Sequence, residues 1–471
     1  MRANDWTDEL AALLPDHAIL RDPADLAAYC RDASVIAGVM PKAALQPRDA
    51  ATVARVLAHA NARAIPVYAY GAGSMYAGAA PAAEPGLMLD MACMDRIIEI
   101  DESRGIVVVE PGVTFGRLQK VLGERGLSVG VVPMTGASGT VGGTVSSHGL
   151  GTGSPRFQSL GDEVAGLEVV LADGTLVRTG SGASQAAGFF QRYCIGPDLT
   201  GLFLGANAGF GIITKVALWL HPAPARQETL CLGFPDTRAA ADFLIAQQNR
   251  ELVRNVWYGA AYDGGAIRAR VAAARPGIAP DTLPGACVAL DMRGEPEELD
   301  RDIALLVALA GAHGGARFDL FDEIFFAILR KDRPYWYSFA GYFGPSRSVL
   351  MMHSLPTAGM PGFLEAIGGF RARHPQFTWG GGIILCRRGL HGAVIAFYDE
   401  QTQWAEMQQV LGGIRAEMVA MGCVPYKGGR LWSDMGDAWP AYRDVLGRIR
   451  AALDPAGIMG RGSFGLDAPP G

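Results

Sequence analysis

Residues 70–78 read YGAGSMYAG and residues 133–155 read PMTGASGTVGGTVSSHGLGTGSP, and how these two stretches are read decides the fold. In the first, Gly71 and Gly73 are spaced as in the G-x-G-x-x-G turn that opens a helix beneath a dinucleotide pyrophosphate. That turn needs a third small residue where Tyr76 stands, and a helix directly after it. The next residues are instead AGAAPAAEPG, whose prolines and glycines make a loop, so a Rossmann domain is excluded. The second stretch is too rich in Gly, Ser and Thr to hold a helix or a long strand. It lies within a domain, because LEVVLADGTLVRTG comes soon after it and reads as a hairpin turning at Asp173 and Gly174. Small residues let the backbone approach a ligand closely, and successive amides in such turns make a nest for a phosphate. Two such loops suit a dinucleotide gripped from two sides.

Outward from these loops the periodicity alternates. DAATVARVLAHANARA carries apolar residues at helical spacing, and IPVYAY after it reads as a short strand. GLMLDM, RIIEID and GIVVVEPG are three further strands, succeeded by the helix TFGRLQKVLGERG with Thr114 as N-cap and Gly126 as its stop. Pro222 and Pro224 end the strand IITKVALWLHP, and a domain boundary is expected near residue 225. Beyond it, the helix EPEELDRDIALLVALAGAHG and the strands TLCLGF, ACVALDM and GAVIAFYDE predict an antiparallel sheet covered by helices. From about Val424 the chain returns to Gly-rich loops and one helix, AYRDVLGRIRAALDP.

Composition narrows the functional classes. At 471 residues the chain is long enough for two to three domains. The net charge of −6, with no Lys/Arg run, argues against a nucleic-acid partner. The start lacks a basic end leading into an apolar run, and no stretch of about 18 apolar residues occurs later, so a cytoplasmic chain without a membrane anchor is expected. The seven cysteines are scattered and never spaced as C-x-x-C, which points to small buried apolar residues rather than a zinc site or disulfide framework.

The order of segments resembles the vanillyl-alcohol oxidase and para-cresol methylhydroxylase flavoprotein superfamily. The pieces are YGAGSMYAGAAP, LMLDMACMDRIIEID, VVVEPGVTFGRLQKVL, GTVGGTVSSHG, GLEVVLADGTLVRTGSGA, YCIGPDLTGLF with NAGFGIITKVALWLHP, and the closing LDPAGIM. LVRTGSGA, IGPDLTGLF and YWYSFAGYFGP look like the branch that oxidises para-substituted phenols, and the histidine clusters of the hydroxy-acid branch are absent, so no metal is expected. The resemblance implies an α+β fold: a two-subdomain PCMH-type FAD-binding domain over residues 1–224, a cap domain over 225–424 with a large antiparallel sheet flanked by helices, and a segment 425–471 returning to the first domain.

It also implies a cofactor, FAD, and the residues that hold it. These are Tyr70, Gly71, Ala72, Gly73, Ser74, Met75 and Gly78 in the first loop; Pro133, Thr135, Gly136, Ser138, Gly139, Gly142, Gly143, Ser146, His148 and Gly149 in the second; and Gly211, Ile212 and Ile213. His391 falls close to where some members attach a histidine to the flavin ring, so covalent FAD there stands beside the plainer reading of a partly buried histidine at a strand start. Tyr76 and Arg430 fall where the phenol branch keeps a tyrosine and an arginine against the phenolic oxygen. That arginine usually stands directly after a tyrosine; here Gly429 precedes it, and Tyr426 is the substitute. Asp162 is the candidate acid or base, although it aligns better with a general superfamily aspartate. The expected reaction is hydride removal from a para-substituted phenol or aromatic alcohol, through phenolate and quinone methide, with oxygen or a cytochrome as electron acceptor and a homodimer as the assembly. Dehydrogenation of a 2-hydroxy acid or another non-aromatic alcohol is the alternative, and an inactive flavin-binding subunit the second.

Overall fold

The computed structural model describes residues 6–320 and 347–466, apart from residues 17, 251, 253 and 276. The segment YWYSFAGYFGP lies outside the described residues. Three principal sheets organise the rest.

In the first sheet the spatial order is Ile19–Leu20, Ala43–Leu45, Leu87–Asp90, Val67–Tyr70. Ala43–Leu45 and Val67–Tyr70 both run parallel to Leu87–Asp90, which requires a crossover between them. The helix Ala50–Ala62 supplies it. The Asp49 carboxylate caps this helix by accepting from the Thr52 amide at 2.7 Å, a contact worth about 1 kcal/mol. Val53, Val56, Leu57 and Ala60, at helical spacing, are buried against the sheet. The chain's last part returns here: the Val67 amide donates to the Ile458 carbonyl and the Gly460 amide to the Val67 carbonyl.

The second sheet is antiparallel, in the order Leu176–Arg178, Val164–Val170, Ile212–Pro222, Ile106–Val109, Ile97–Asp101. The hairpin turns where expected, with Asp173 accepting from the Thr175 amide and Gly174 at φ +88°. Helix Phe115–Gly123 is capped by Thr114 and packs Leu118 and Leu122 onto this sheet. One expectation is corrected: the Gly-rich run does hold a helix, Val141–Ser146. The Thr140 hydroxyl accepts from the Gly143 amide, and Val141 and Val145, four apart, are fully buried in the core of the second sheet. Burying two valines, at about 1.5–3 kcal/mol each, outweighs the cost of about 1 kcal/mol for each of the two glycines.

The third sheet has eight antiparallel strands: Ala316–Arg317, Arg226–Phe234, Ala286–Gly294, Val256–Asp263, Thr378–Leu385, Leu390–Tyr398, Arg347–Leu355 and Val424–Pro425. The strand ending at Pro222 and the one starting at Arg226 thus belong to different sheets. Helices Thr237–Asn249, Pro296–Ala312, Met360–Arg373 and Trp404–Ala420 cover one face, where Val349, Met351, Val394 and Ala396 meet Phe243, Phe363 and Leu411. The two-residue period sends Leu350, Met352, Ala393 and Ile395 to the other face, beside Tyr76 and Tyr426. That face is one wall of a cavity. No helix among the described residues is long and apolar enough to cross a membrane.

Candidate functional site

Strand Val67–Tyr70 delivers the chain into the loop of residues 71–86, which has neither helix nor strand. The successive amides of Ala72, Gly73, Ser74 and Met75 donate to no acceptor among the described residues, the arrangement a phosphate nest requires. The two glycine loops meet: a Cβ on Gly71 would come within 2.7 Å of the Thr140 hydroxyl. Between these loops and the open face of the third sheet lies a cavity with about 1730 Å³ of empty space, part of it open to solvent.

Of the expected cofactor residues, Tyr70, Gly71, Ala72, Gly73, Ser74, Met75, Pro133, Thr135, Gly142, Gly143, Ser146, Gly211, Ile212 and Ile213 line the cavity. The others sit behind it. Gly78 turns at φ +73° against Ile36. Gly136 and Gly139 accept from the Gly116 and Phe115 amides, and the Ser138 amide closes a turn onto Thr135. The Gly149 amide ends the Val141–Ser146 helix by donating to Thr144. His148 and His391 line a second, adjoining cleft with Ser354 and Arg388, on the other side of Tyr426. His391 lies 3.1 Å by its Nδ1 from the Ser354 hydroxyl and has its ring edge-on to Tyr426, with centroids 4.6 Å apart. The structure therefore does not bring it into the cavity of the glycine loops.

Of the expected catalytic group, Tyr76 and Tyr426 line the cavity. The Tyr76 hydroxyl donates to the Met352 sulfur at 2.7 Å, and the Tyr426 hydroxyl to the His148 carbonyl at 2.6 Å. Asp162 is turned away: its carboxylate accepts from the Ser159 amide at 3.0 Å and hydroxyl at 2.6 Å, closing a local turn. Arg430 does not line the cavity either. Its guanidinium donates to the carbonyls of Ala37 and Ala82, both at 3.3 Å, and so ties the tail to the first loop.

Among the described residues the cation that does reach the cavity is Lys427, which sequence reasoning missed. Its ammonium donates to the Ser147 hydroxyl at 3.2 Å and sits 5.4 Å from the Tyr76 ring centre and 5.3 Å from that of Tyr426, within cation–π range. Tyr426 and Lys427 form the pair of a tyrosine directly before a cation, three residues upstream of Arg430. That dipeptide was the available signal. Met352, Tyr258, Tyr262, Leu350, Ile384 and Ile395 complete an apolar wall that no motif disclosed.

Burial sets the electrostatics. It pushes the hydroxyls of Tyr76 and Tyr426 well above the usual tyrosine range, keeping both as proton donors. It pulls the Lys427 ammonium down to about 8, since removal from water disfavours its charged form. No carboxylate among the described residues is paired with Lys427. Among the described residues the arrangement is one cation and two tyrosine hydroxyls at the end of an apolar chamber, which suits an oxygen anion on a flat apolar body.

Residues 41–180 match the family model of the FAD binding domain. Residues 41–180 are thus an FAD-binding domain. The chain is 32% identical over 214 residues to the glycolate oxidase subunit GlcD of Bacillus subtilis (strain 168), covering 45% of this chain and 44% of that one. It is 31% identical over 227 residues to the 4-cresol dehydrogenase [hydroxylating] flavoprotein subunit of Pseudomonas putida, covering 47% and 43%. The matches thus span less than half the length of these curated relatives. The whole described fold is similar to 4-ethylphenol oxidase from Gulosibacter chungangensis, in its isoeugenol complex, with a TM-score of 0.81, 19% identity, and 98% and 96% of the two chains covered. The PCMH-type α+β fold therefore extends over nearly the whole protein, and the open amides of Ala72–Met75, with the glycines of both loops, fit the FAD that this domain binds.

Proposed function

We propose that the protein is an FAD-dependent oxidoreductase that takes hydride from a para-substituted phenol or aromatic alcohol, through a phenolate and a quinone methide. The observation that carries this reading is the convergence of Tyr76, Tyr426 and Lys427 on one end of a cavity whose other side is built from the glycine loops. Bound FAD supplies the hydride acceptor. Ala72–Met75 and the loop around Thr135–Ser146 would hold it. Lys427 opposes the negative charge on the phenolic oxygen, and the Tyr76 and Tyr426 hydroxyls would donate to that oxygen by exchanging their bonds to the Met352 sulfur and the His148 carbonyl for it. An ionised oxygen pushes electrons through the ring toward the substituent carbon at the para position, which is what hydride loss from that carbon needs. Leu350, Met352, Ile384 and Ile395 enclose the ring and exclude water, strengthening the charge contacts at its far end. A small hydroxy acid such as glycolate would use the cation but not this extended apolar wall.

The test is anaerobic reduction of the FAD-loaded protein with 4-ethylphenol, vanillyl alcohol, glycolate and lactate in turn. Bleaching of the flavin by the phenols is expected. Bleaching by glycolate or lactate alone would transfer the reading to a hydroxy acid, and bleaching by none would leave a flavin-binding subunit without turnover.

A further inference from the structure

Lys427 does not stand in the cavity as a guanidinium would. An arginine holds its proton at every working pH, whereas an amine can release and accept one. Resting on the phenol reading above, we infer that the Lys427 amine takes the proton of the substrate's phenolic hydroxyl, so that one residue both generates the phenolate and holds it. In this step the O–H bond breaks, its electron pair stays on oxygen, and a new N–H bond forms on Nζ. A neutral amine and a phenol become an ammonium and a phenolate, with no change of oxidation state. When product leaves as a phenol the proton returns from Nζ to oxygen and the amine is reset.

The surroundings support this role. Lys427 rests between two aromatic faces and donates to a neutral hydroxyl, Ser147. No carboxylate among the described residues pairs with it to lock its charge, so a proton arriving from substrate creates a charge pair rather than disrupting an existing one. The groups that face it from neighbouring elements are Tyr76 from the first loop, Tyr426 beside it, His148 after the Val141–Ser146 helix, and His391 on the cap strand Leu390–Tyr398. All are uncharged at neutral pH, because burial raises the tyrosines and lowers both histidines, His391 to about 3. Beyond them, Asp162 faces His148, and the Cys386 thiol, which burial pushes up, faces Tyr426. The amine itself titrates near the top of the physiological range, where a base both is available and has driving force.

Proton counting separates this from a fixed cation. FAD-loaded protein is mixed with phenol itself, which has no para substituent to lose hydride. The phenolate difference absorbance reports ionisation, and an indicator dye in weak buffer reports protons released per site. At pH 6.5, where the amine is already charged, binding phenol as phenolate should release about one proton. At pH 9.5 the amine keeps that proton and release should fall close to zero, with the phenolate band unchanged. In Lys427→Arg about one proton should be released at both pH values, since arginine stays charged. The wild-type profile decides the matter even where the variant binds poorly. Release of about one proton at pH 9.5 by the wild type, with the phenolate band present, would overturn the proton acceptor and leave the phenolate site standing. Absence of the phenolate band at saturating phenol would overturn both.

Discussion

Exchanging Lys427 for methionine removes the charge from the cavity and keeps the length of the side chain. A free phenol has a pKa of about 10, so at pH 7 roughly one molecule in a thousand is ionised. A cation in contact with the oxygen lowers that pKa by about 1–3, which at about 1.36 kcal/mol each is ~1.4–4 kcal/mol of phenolate stabilisation. Among the described residues Lys427 is the cation lining this cavity, so Lys427→Met should slow anaerobic flavin reduction by 4-ethylphenol about 10- to 1,000-fold at pH 7. The companion is Arg430→Met. Its guanidinium donates to two carbonyls outside the cavity, so the reduction rate should stay within about two-fold, as for substitutions away from a site. Losing those two hydrogen bonds, at about 0.5–1.5 kcal/mol each, should lower the melting temperature. Stopped-flow reduction of both variants, with bound FAD quantified first, measures the contrast. The reverse result, with Arg430→Met losing reduction and Lys427→Met close to wild type, would refute the placement of the anion site at Lys427.

Two other expectations rest on buried histidines. His391 lies beyond Tyr426 in the second cleft, so acid denaturation should leave a colourless protein pellet and all flavin in the supernatant; a yellow pellet would show a covalent link. His353 is fully buried against Trp432 and Phe363, with neither ring nitrogen hydrogen-bonded among the described residues, and burial pulls its pKa down to about 4. The unfolded chain therefore binds the proton first, from about pH 6.5 downward, and stability is lost as the pH falls across that window, by about 2 kcal/mol at pH 5. His353→Leu should flatten part of this acid slope in thermal melts between pH 8 and pH 5, and an unchanged slope would contradict it.

Much of the fold was legible because it is written in local pattern. The helix Ala50–Ala62 shows its cap and its apolar spacing, and the hairpin at Asp173 and Gly174 shows its turn residues. The glycine loops announce themselves by lacking side chains, and the residue types alone say that backbone must come close to something there. The helix Val141–Ser146 was hidden, because two glycines mask it in any propensity sum and only the core of the second sheet shows why Val141 and Val145 form one face.

The anion site was half legible. Tyr76 and Tyr426 carry the right chemistry in the sequence, but the choice between Lys427 and Arg430 depends on the path of the backbone. The Tyr426 amide donates to Met352 and the Leu431 amide to Ala77, and Gly429 lies flat on Ala77, so the chain turns between them and points Lys427 inward and Arg430 outward. Periodicity, capping and loop composition come from neighbours a few residues apart and are present in the chain before it folds. The cavity joins Tyr76 to Met352, 276 residues away, and at its edge Tyr426 reaches the His148 carbonyl, 278 residues away. Which charge faces which wall is set by the packing of the third sheet against the glycine loops, and no local pattern contains it.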